Sequence, residues 1–415
     1  MTAETGEQIG VGGGDIAEHV ANMHAGDGAG GPLAPRQRLL LALDHKEPDR
    51  VAIDFGGRHT GLHVSTHQAL KKLLGCEGGE EVVRNWMMMT AETDRRLMER
   101  FGSDVVWVFS QPPDTWRFEI DPATNTWRDE WGTVFYMPPD GYYYDIQCTP
   151  LGEADADQIQ NYHFPDPWDP GRVRGLADKL RALRAETDRA IMICAPTGGI
   201  WEHNQFLLGV ERAYMELLLN PAVMDRLAGG IGAWQCAYWE HVLGEVGDLV
   251  DVVQIGDDLG SQAGPLFSPD LFRRTYKPKL KELIASIKRH TKAKVYMHSD
   301  GSVYEYIPDF IDCGVDILNP VQVTAAHMGD TARLKREFGK DLSFWGGGCD
   351  NVILATGSPA EVSAEARRRI DDLAPGGGFV FGSIHNMQAK VPPENIMALY
   401  DTACTYGIYP VSGQS

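Results

Sequence analysis

The sequence is poor in the features that mark several common protein classes. Its 415 residues hold seven cysteines, at positions 76, 148, 194, 236, 313, 349 and 404. They form no Cys-x-x-Cys pair and no regular spacing, and their number is odd. That argues against a disulfide framework and for free thiols, one or two of them functional. Positive charge is also short: 38 Lys and Arg face 58 Asp and Glu, a formal charge of −20. Such a balance argues against nucleic acid or an anionic membrane as the partner. No apolar run approaches the roughly 18 residues of a membrane span. The N-terminus shows no basic segment followed by an apolar core, so no secretory signal is expected. The expected location is the cytoplasm.

What is present is ordinary for a globular protein with a large core: 43% hydrophobic and 23% charged residues. The length suits two or three average domains or one large α/β barrel. Residues 1–34, rich in Gly, Ala and acidic side chains, predict a disordered tail. Structure is expected from Arg36–Leu43, a short helix that Pro48 prevents from running on. Eight short apolar runs follow: 51–55, 104–109, 190–194, 249–255, 294–298, 315–318, 342–345 and 378–381. Helix-period segments separate most of them, among them 271–290, 302–313 and 359–373. Eight strands alternating with helices predict an α/β fold, a (β/α)8 TIM barrel over residues 35–415, with a doubly wound open sheet as the competitor.

One stretch breaks this rhythm. Residues 115–148 alternate polar and aromatic side chains around Asp-Pro, Asn-Thr and Pro-Pro-Asp-Gly turns, which predicts antiparallel hairpins. The insertion, about 112–150, follows the second strand, on the rim where a barrel keeps its active site. It reads equally as an aromatic flap over the mouth or as an interface between copies, as in a homodimer.

The C-terminal strand ends carry the chemistry. The fifth run, Lys294-Val-Tyr-Met-His-Ser-Asp-Gly301, has an apolar body, then ligand-type residues, then a turn residue. His298 and Asp300 are two apart and share a strand face, as a metal site or an acid–base pair requires. A capping Ser-Asp beside a satisfied histidine is the bland alternative. The other ends contribute Arg58, Asp257, Asp258, Asn319, Gln322, Cys349, His385 and Asn386. Thiolate and imidazole together favour zinc, with His298, Cys349 and His385 as ligands. Asp300 is then a fourth ligand or the partner that orients an imidazole. Cys349 reads equally as an inert thiol in a Gly-Gly-Gly turn. Asp257 and Asp258 are candidate acid–base or substrate-orienting groups, and adjacent side chains on a strand point apart, so one of them faces the site. Arg58, Asn319, Gln322 and Asn386 are the candidates for gripping substrate. His59, His63 and His67 are spaced by four, but Gly61 weakens a helix there, and they read as surface.

Several of these stretches carry a family likeness: 255–269 (Ile-Gly-Asp-Asp-Leu-Gly-Ser-Gln-Ala-Gly-Pro-Leu-Phe-Ser-Pro), Met297-His-Ser-Asp-Gly301, Gly314-Val-Asp-Ile-Leu-Asn-Pro-Val-Gln322 and Pro392-Pro-Glu-Asn-Ile396. From about Arg36 onward the chain resembles the uroporphyrinogen decarboxylase superfamily, and within it the branch near the corrinoid-dependent methyltransferases. The resemblance implies a (β/α)8 barrel. True decarboxylases of the family carry an arginine-rich motif after the first strand that grips the substrate's carboxylates. Here Phe55-Gly-Gly-Arg-His59 offers one arginine. Each lost charged contact removes about 1.5–3 kcal/mol, which argues against a porphyrin substrate. The methyltransferase branch holds zinc through His-x-Cys after the fifth strand and a cysteine after the eighth. The corresponding positions here are His298, Asp300 and His385, with Cys349 a candidate to replace the lost sulfur. Fewer thiolates would make the metal a stronger Lewis acid, suited to activating a methoxy compound for attack by Co(I). The resemblance thus implies methyl transfer between a small-molecule donor and a corrinoid (cobalamin) protein, or onward to a folate or thiol. The chain has no Asp-x-His-x-x-Gly cobalamin signature, so the corrinoid would arrive on a separate protein. A metal-independent decarboxylase acting on an acidic substrate through Asp257 or Asp258 and Arg58 is the alternative, and a non-catalytic binding barrel the third reading.

Overall fold

The computed structural model describes residues 32–411. The β-branched and aromatic runs form eight parallel strands: β1 (Ala52–Ile53), β2 (Val105–Phe109), β3 (Ala190–Cys194), β4 (Val252–Gly256), β5 (Lys294–His298), β6 (Ile317–Asn319), β7 (Ser343–Trp345) and β8 (Phe379–Phe381). They pair in the order β1-β8-β7-β6-β5-β4-β3-β2. The first strand pairs with the last, Ala52 opposite Val380 and Ile53 opposite Phe381. This is the expected barrel. An open doubly wound sheet would not return β1 to β8.

Both ladder ends meet at Asp104. Its backbone N–H donates to the Ile53 carbonyl at 2.8 Å, and its carboxylate accepts from the Ile53 N–H at 2.8 Å. Arg38 and Arg50 donate to the same carboxylate at 2.6 and 2.8 Å, so a fully buried charge is matched by two guanidiniums. The helix Pro35–Leu43 starts with proline in its first turn, where the missing N–H costs nothing. It packs Leu39, Ala42 and Leu43 into the barrel interior with Ala52, Val105, Val252, Tyr296 and Trp345. The N-terminal mouth is thereby plugged, and chemistry is left to the C-terminal mouth. The expected tail falls, up to residue 31, outside the described residues. Leu33 is already tied down, its N–H donating to Asp49 at 3.0 Å.

The insertion folds as a four-stranded antiparallel sheet (Ile120–Asp121, Thr126–Arg128, Val134–Tyr136 and Asp145–Cys148). Trp127 and Phe135 stack across it at 4.2 Å. The sheet rests on three loops of the mouth. His63, after β1, donates to the Tyr142 carbonyl at 3.2 Å. The Phe206 carbonyl, in the helix after β3, accepts from Thr133 at 2.9 Å. Ala389, after β8, donates to the Tyr143 hydroxyl at 3.2 Å. Such contacts seat the insertion on the rim of the mouth.

The helix expected over 271–290 is two helices, Pro269–Thr275 and Lys277–His290. The break falls at Tyr276 because Pro278, with no N–H, belongs in the first turn of a helix.

Candidate functional site

The site is built on β5. His298, at its last residue, is 6% exposed. Its Nδ1 lies 2.6 Å from Asn319 Oδ1, at the end of β6. The Asn319 amide donates to the Trp345 carbonyl at 2.9 Å, so its oxygen faces the imidazole. Nδ1 therefore carries the proton, and Nε2 presents a lone pair to the mouth. Asn319, expected to grip substrate, is fully buried and orients His298 instead.

Nε2 of His298 lies 3.8 Å from Asp258 Oδ1 and 3.9 Å from Asp300 Oδ1. Nε2 of His385, in the loop after β8, lies 3.8 Å from Asp300 Oδ2. The ligand atoms of His298, Asp300 and His385 all fall within 4.8 Å of one another. Asp300 Oδ1 is buried and accepts no hydrogen bond among the described residues. A buried carboxylate oxygen left without a partner is costly, and a cation between it and the two imidazoles would satisfy it. Gly301 makes the turn possible: its φ is +85°, and a Cβ there would fall 2.3 Å from the Gly260 carbonyl carbon.

Cys349 stands apart from this trio. It is fully buried, its thiol facing the Asp350 carbonyl at 3.4 Å. Burial, with Glu365 and Asp350 nearby, pushes the thiol up to about 12. The ligand role expected of it is not carried by the geometry, because the thiol is not among the side chains that gather around Asp300, and its charged neighbours are Asp350 and, in the helix Pro359–Leu373, Glu365 and Arg369. What is seen is an inert thiol in a glycine turn.

His59 corrects the expectation of a surface stripe. It is 6% exposed, and its ring stacks on His298 with centroids 3.6 Å apart and planes 8° from parallel. Burial, then the neighbouring His298, Arg58 and His385, hold it well below the usual imidazole range, so it is neutral. His63 and His67 are buried too, at 5% and 2%. His63 caps the helix Val64–Leu73 by accepting from Ser65, and His67 joins Glu81 to the Asp94 N–H. The signal for His59 was its place beside Arg58 at a strand end.

The carboxylates divide by role. Asp257 accepts from the N–H groups of Trp201 and Glu202 at 2.8 and 2.9 Å, which makes it the cap of the helix Ile200–Leu208. Burial pushes it up to about 7 against those two bonds. Asp258 faces the mouth, accepting from the Asp300 N–H at 2.9 Å. Burial raises it, with His298 opposing and Asp300 adding to the rise. Glu202, not anticipated, also borders the mouth and is raised well above its ordinary value by burial and by Asp258 and Asp257. Arg58 donates to the Ala195 carbonyl. Gln322 accepts from the Gly301 N–H at 2.6 Å and Asn386 from the Gly61 N–H at 2.9 Å, so both amide oxygens brace loops. Beneath the histidines, Asp54 accepts from the indoles of Trp107 and Trp345, each at 2.9 Å.

Residues 147–406, more than half of the chain, match the family model described as Uroporphyrinogen decarboxylase (URO-D). The chain belongs to the uroporphyrinogen decarboxylase family. Curated family relatives include a uroporphyrinogen decarboxylase of Alkalilimnicola ehrlichii, 24% identical over 88% of this chain and 92% of that protein. Another, from Thioalkalivibrio sulfidiphilus, is 22% identical over 88% of this chain and 96% of its own length. Among solved structures, a methyltransferase from Methanosarcina mazei superposes with a TM-score of 0.63 at 18% identity. It covers 89% of this chain and 98% of that one, a likeness of fold. Among the described residues, no helix of this family member is long and apolar enough to cross a membrane.

Proposed function

We propose that the chain is a zinc-dependent methyltransferase of the uroporphyrinogen decarboxylase family. It would move a methyl group between a small donor, such as a methoxy compound, and a corrinoid protein or a folate or thiol acceptor. The observation that carries this reading is the buried, unpartnered Oδ1 of Asp300 beside the Nε2 atoms of His298 and His385. Two imidazoles and one carboxylate, with further positions open, are a donor set of catalytic zinc sites. His298 would offer the lone pair that Asn319 fixes, His385 its Nε2, and Asp300 its carboxylate. When bound, zinc supplies Lewis acidity toward the donor's oxygen. Stacked neutral against His298, His59 keeps that ring from turning. With no cobalamin signature in the chain, the corrinoid would come on a partner protein. The same reading takes residues 35–415 as one catalytic unit working in the cytoplasm.

A metal-free carbon–carbon lyase acting on an acidic substrate is the second reading. It is favoured by the names of the relatives and by Asp258 and Glu202, whose raised pKa values let them hold protons near Arg58.

Metal analysis of protein purified without chelators tests the first reading, alongside His298→Ala, Asp300→Ala and His385→Ala. Near-stoichiometric zinc, lost in each variant, is the expected result, followed by methyl transfer from methoxy compounds to a Co(I) corrinoid protein. Metal-free wild-type protein would sink it in favour of the lyase. Iron in place of zinc would also overturn it, since two histidines and a carboxylate hold ferrous iron in oxygen chemistry.

A further inference from the structure

Above the Asp104 tie, no backbone hydrogen bond joins β1 to β2 among the described residues. The barrel wall has a seam there, and a cavity of about 230 Å³ occupies it. One wall is the backbone of Gly56 and Gly57; a Cβ on Gly57 would fall 2.0 Å from the Trp107 indole nitrogen. Trp107 and Phe109 of β2 form the other wall, and Lys179, from the helix Leu176–Glu186, stands at the outer lip.

The charge of this cavity runs against that of the molecule. In a chain of formal charge −20, the seam is lined by Arg58, Arg84 and Lys179 against one carboxylate, Glu92. Glu92 pairs with Arg84 at 2.5 Å. Neither Arg58 nor Lys179 has an ion-pair partner among the described residues. Both guanidiniums flank a single ring, their central carbons 6.0 and 5.8 Å from the Phe109 centroid. Partial enclosure, then the field of Arg84, pushes the Lys179 ammonium below its ordinary value, with Glu92 opposing. Like charges gathered round an apolar wall repel one another until an anion joins them.

The cavity is smaller than the roughly 300–1,000 Å³ of drug-sized ligand sites, so it suits one ring with a substituent or two. A flat apolar body can lie on Phe109, while a carboxylate reaches the guanidinium forks in the geometry they favour. The inner end of the seam borders the histidines: Arg58 also acts on His59, His385 and Glu202, and the Trp107 ring, packed against Gly57, meets His59 edge-on at 5.7 Å.

From this geometry we propose that the seam between β1 and β2 binds a small carboxylate with a flat apolar body, held by Arg84 and Lys179 at the lip and directed by Arg58 toward the histidine cluster. As a statement of the substrate's class, the proposal rests on the methyl-transfer reading. As a binding pocket, it does not.

Calorimetric titration of the full chain with benzoate, benzamide and inorganic phosphate tests it. Benzoate binds, and the neutral amide and the bare anion bind at least about tenfold more weakly. Arg84→Gln and Lys179→Gln, both exposed and so harmless to folding, each weaken benzoate by about tenfold, with metal content and melting temperature unchanged. Absence of benzoate binding overturns the proposal, as does binding that both variants retain in full or phosphate binding as tight as benzoate. Benzoate binding to a metal-free protein would leave the seam pocket standing and the methyl-transfer reading fallen. Metal without benzoate binding would do the reverse.

Discussion

The proton on His298 is placed by a chain of three groups: Nδ1 to Asn319, and Asn319 to the Trp345 carbonyl. Asn319→Ala removes the acceptor and frees the ring to turn or to take the other tautomer. Metal affinity, measured by competition with a chromogenic chelator, is expected to fall by about 10–100-fold, with the fold intact by circular dichroism. Asp54 gives a second test. Burial lifts its carboxyl to about 6, above its value in the unfolded chain, so the folded state holds the proton longer. Stability contributed by that proton is present at low pH and is lost as pH rises through the window from about 4 to about 6. The stability difference between the wild type and Asp54→Asn should therefore move in favour of Asn by about 3 kcal/mol between pH 3.5 and 7, read from urea denaturation at each pH. His298, Asp300 and His385 were legible because a strand that ends in ligand-type residues at a barrel mouth announces them. Cys349 stayed open between ligand and inert thiol because a glycine turn can aim a side chain to either side, and sequence spacing does not say which. His59 was masked by its spacing to His63 and His67; the helix begins only at Val64, with His63 as its cap, so His59 lies outside it.

The helix Ile200–Leu208 shows how elements lend each other parts. Its cap position is Gly199, which has no side chain to satisfy the first N–H groups. Asp257, at the end of β4, supplies that acceptor, and a Cβ on Gly199 would fall 2.3 Å from the Asp257 side chain. Asp257→Ala should cost about 1–2 kcal/mol of stability, as the loss of a cap does, and leave metal content unchanged, whereas Asp300→Ala should strip the metal. Unfolding curves and metal analysis on the same samples separate the two. The strands were legible to within a few residues, since buried parallel strands are near-continuous apolar runs. The hairpins were legible from their alternation and turns, but their seat was not: which loops a flap touches depends on contacts such as Tyr143 with Ala389, between residues far apart in sequence.

At the scale of the molecule, one carboxylate holds both ends of the sheet. Asp104→Asn would leave Arg50 buried without its counter-charge and Arg38 with Asp49 alone, at an expected cost of about 3–5 kcal/mol. The loss should appear in the unfolding midpoint of the whole barrel rather than in a local loop. The pairing of β1 with β8 also bears on the order of events during synthesis. Ala52 finds its ladder partner only at Val380, and at roughly 5–20 residues per second the ribosome needs tens of seconds to cover that distance. Through that interval the edge of β1 that will pair with β8 waits without its partner. The nascent chain has no finished half to fall back on, and its exposure to chaperones and proteases ends only when the last strand is released.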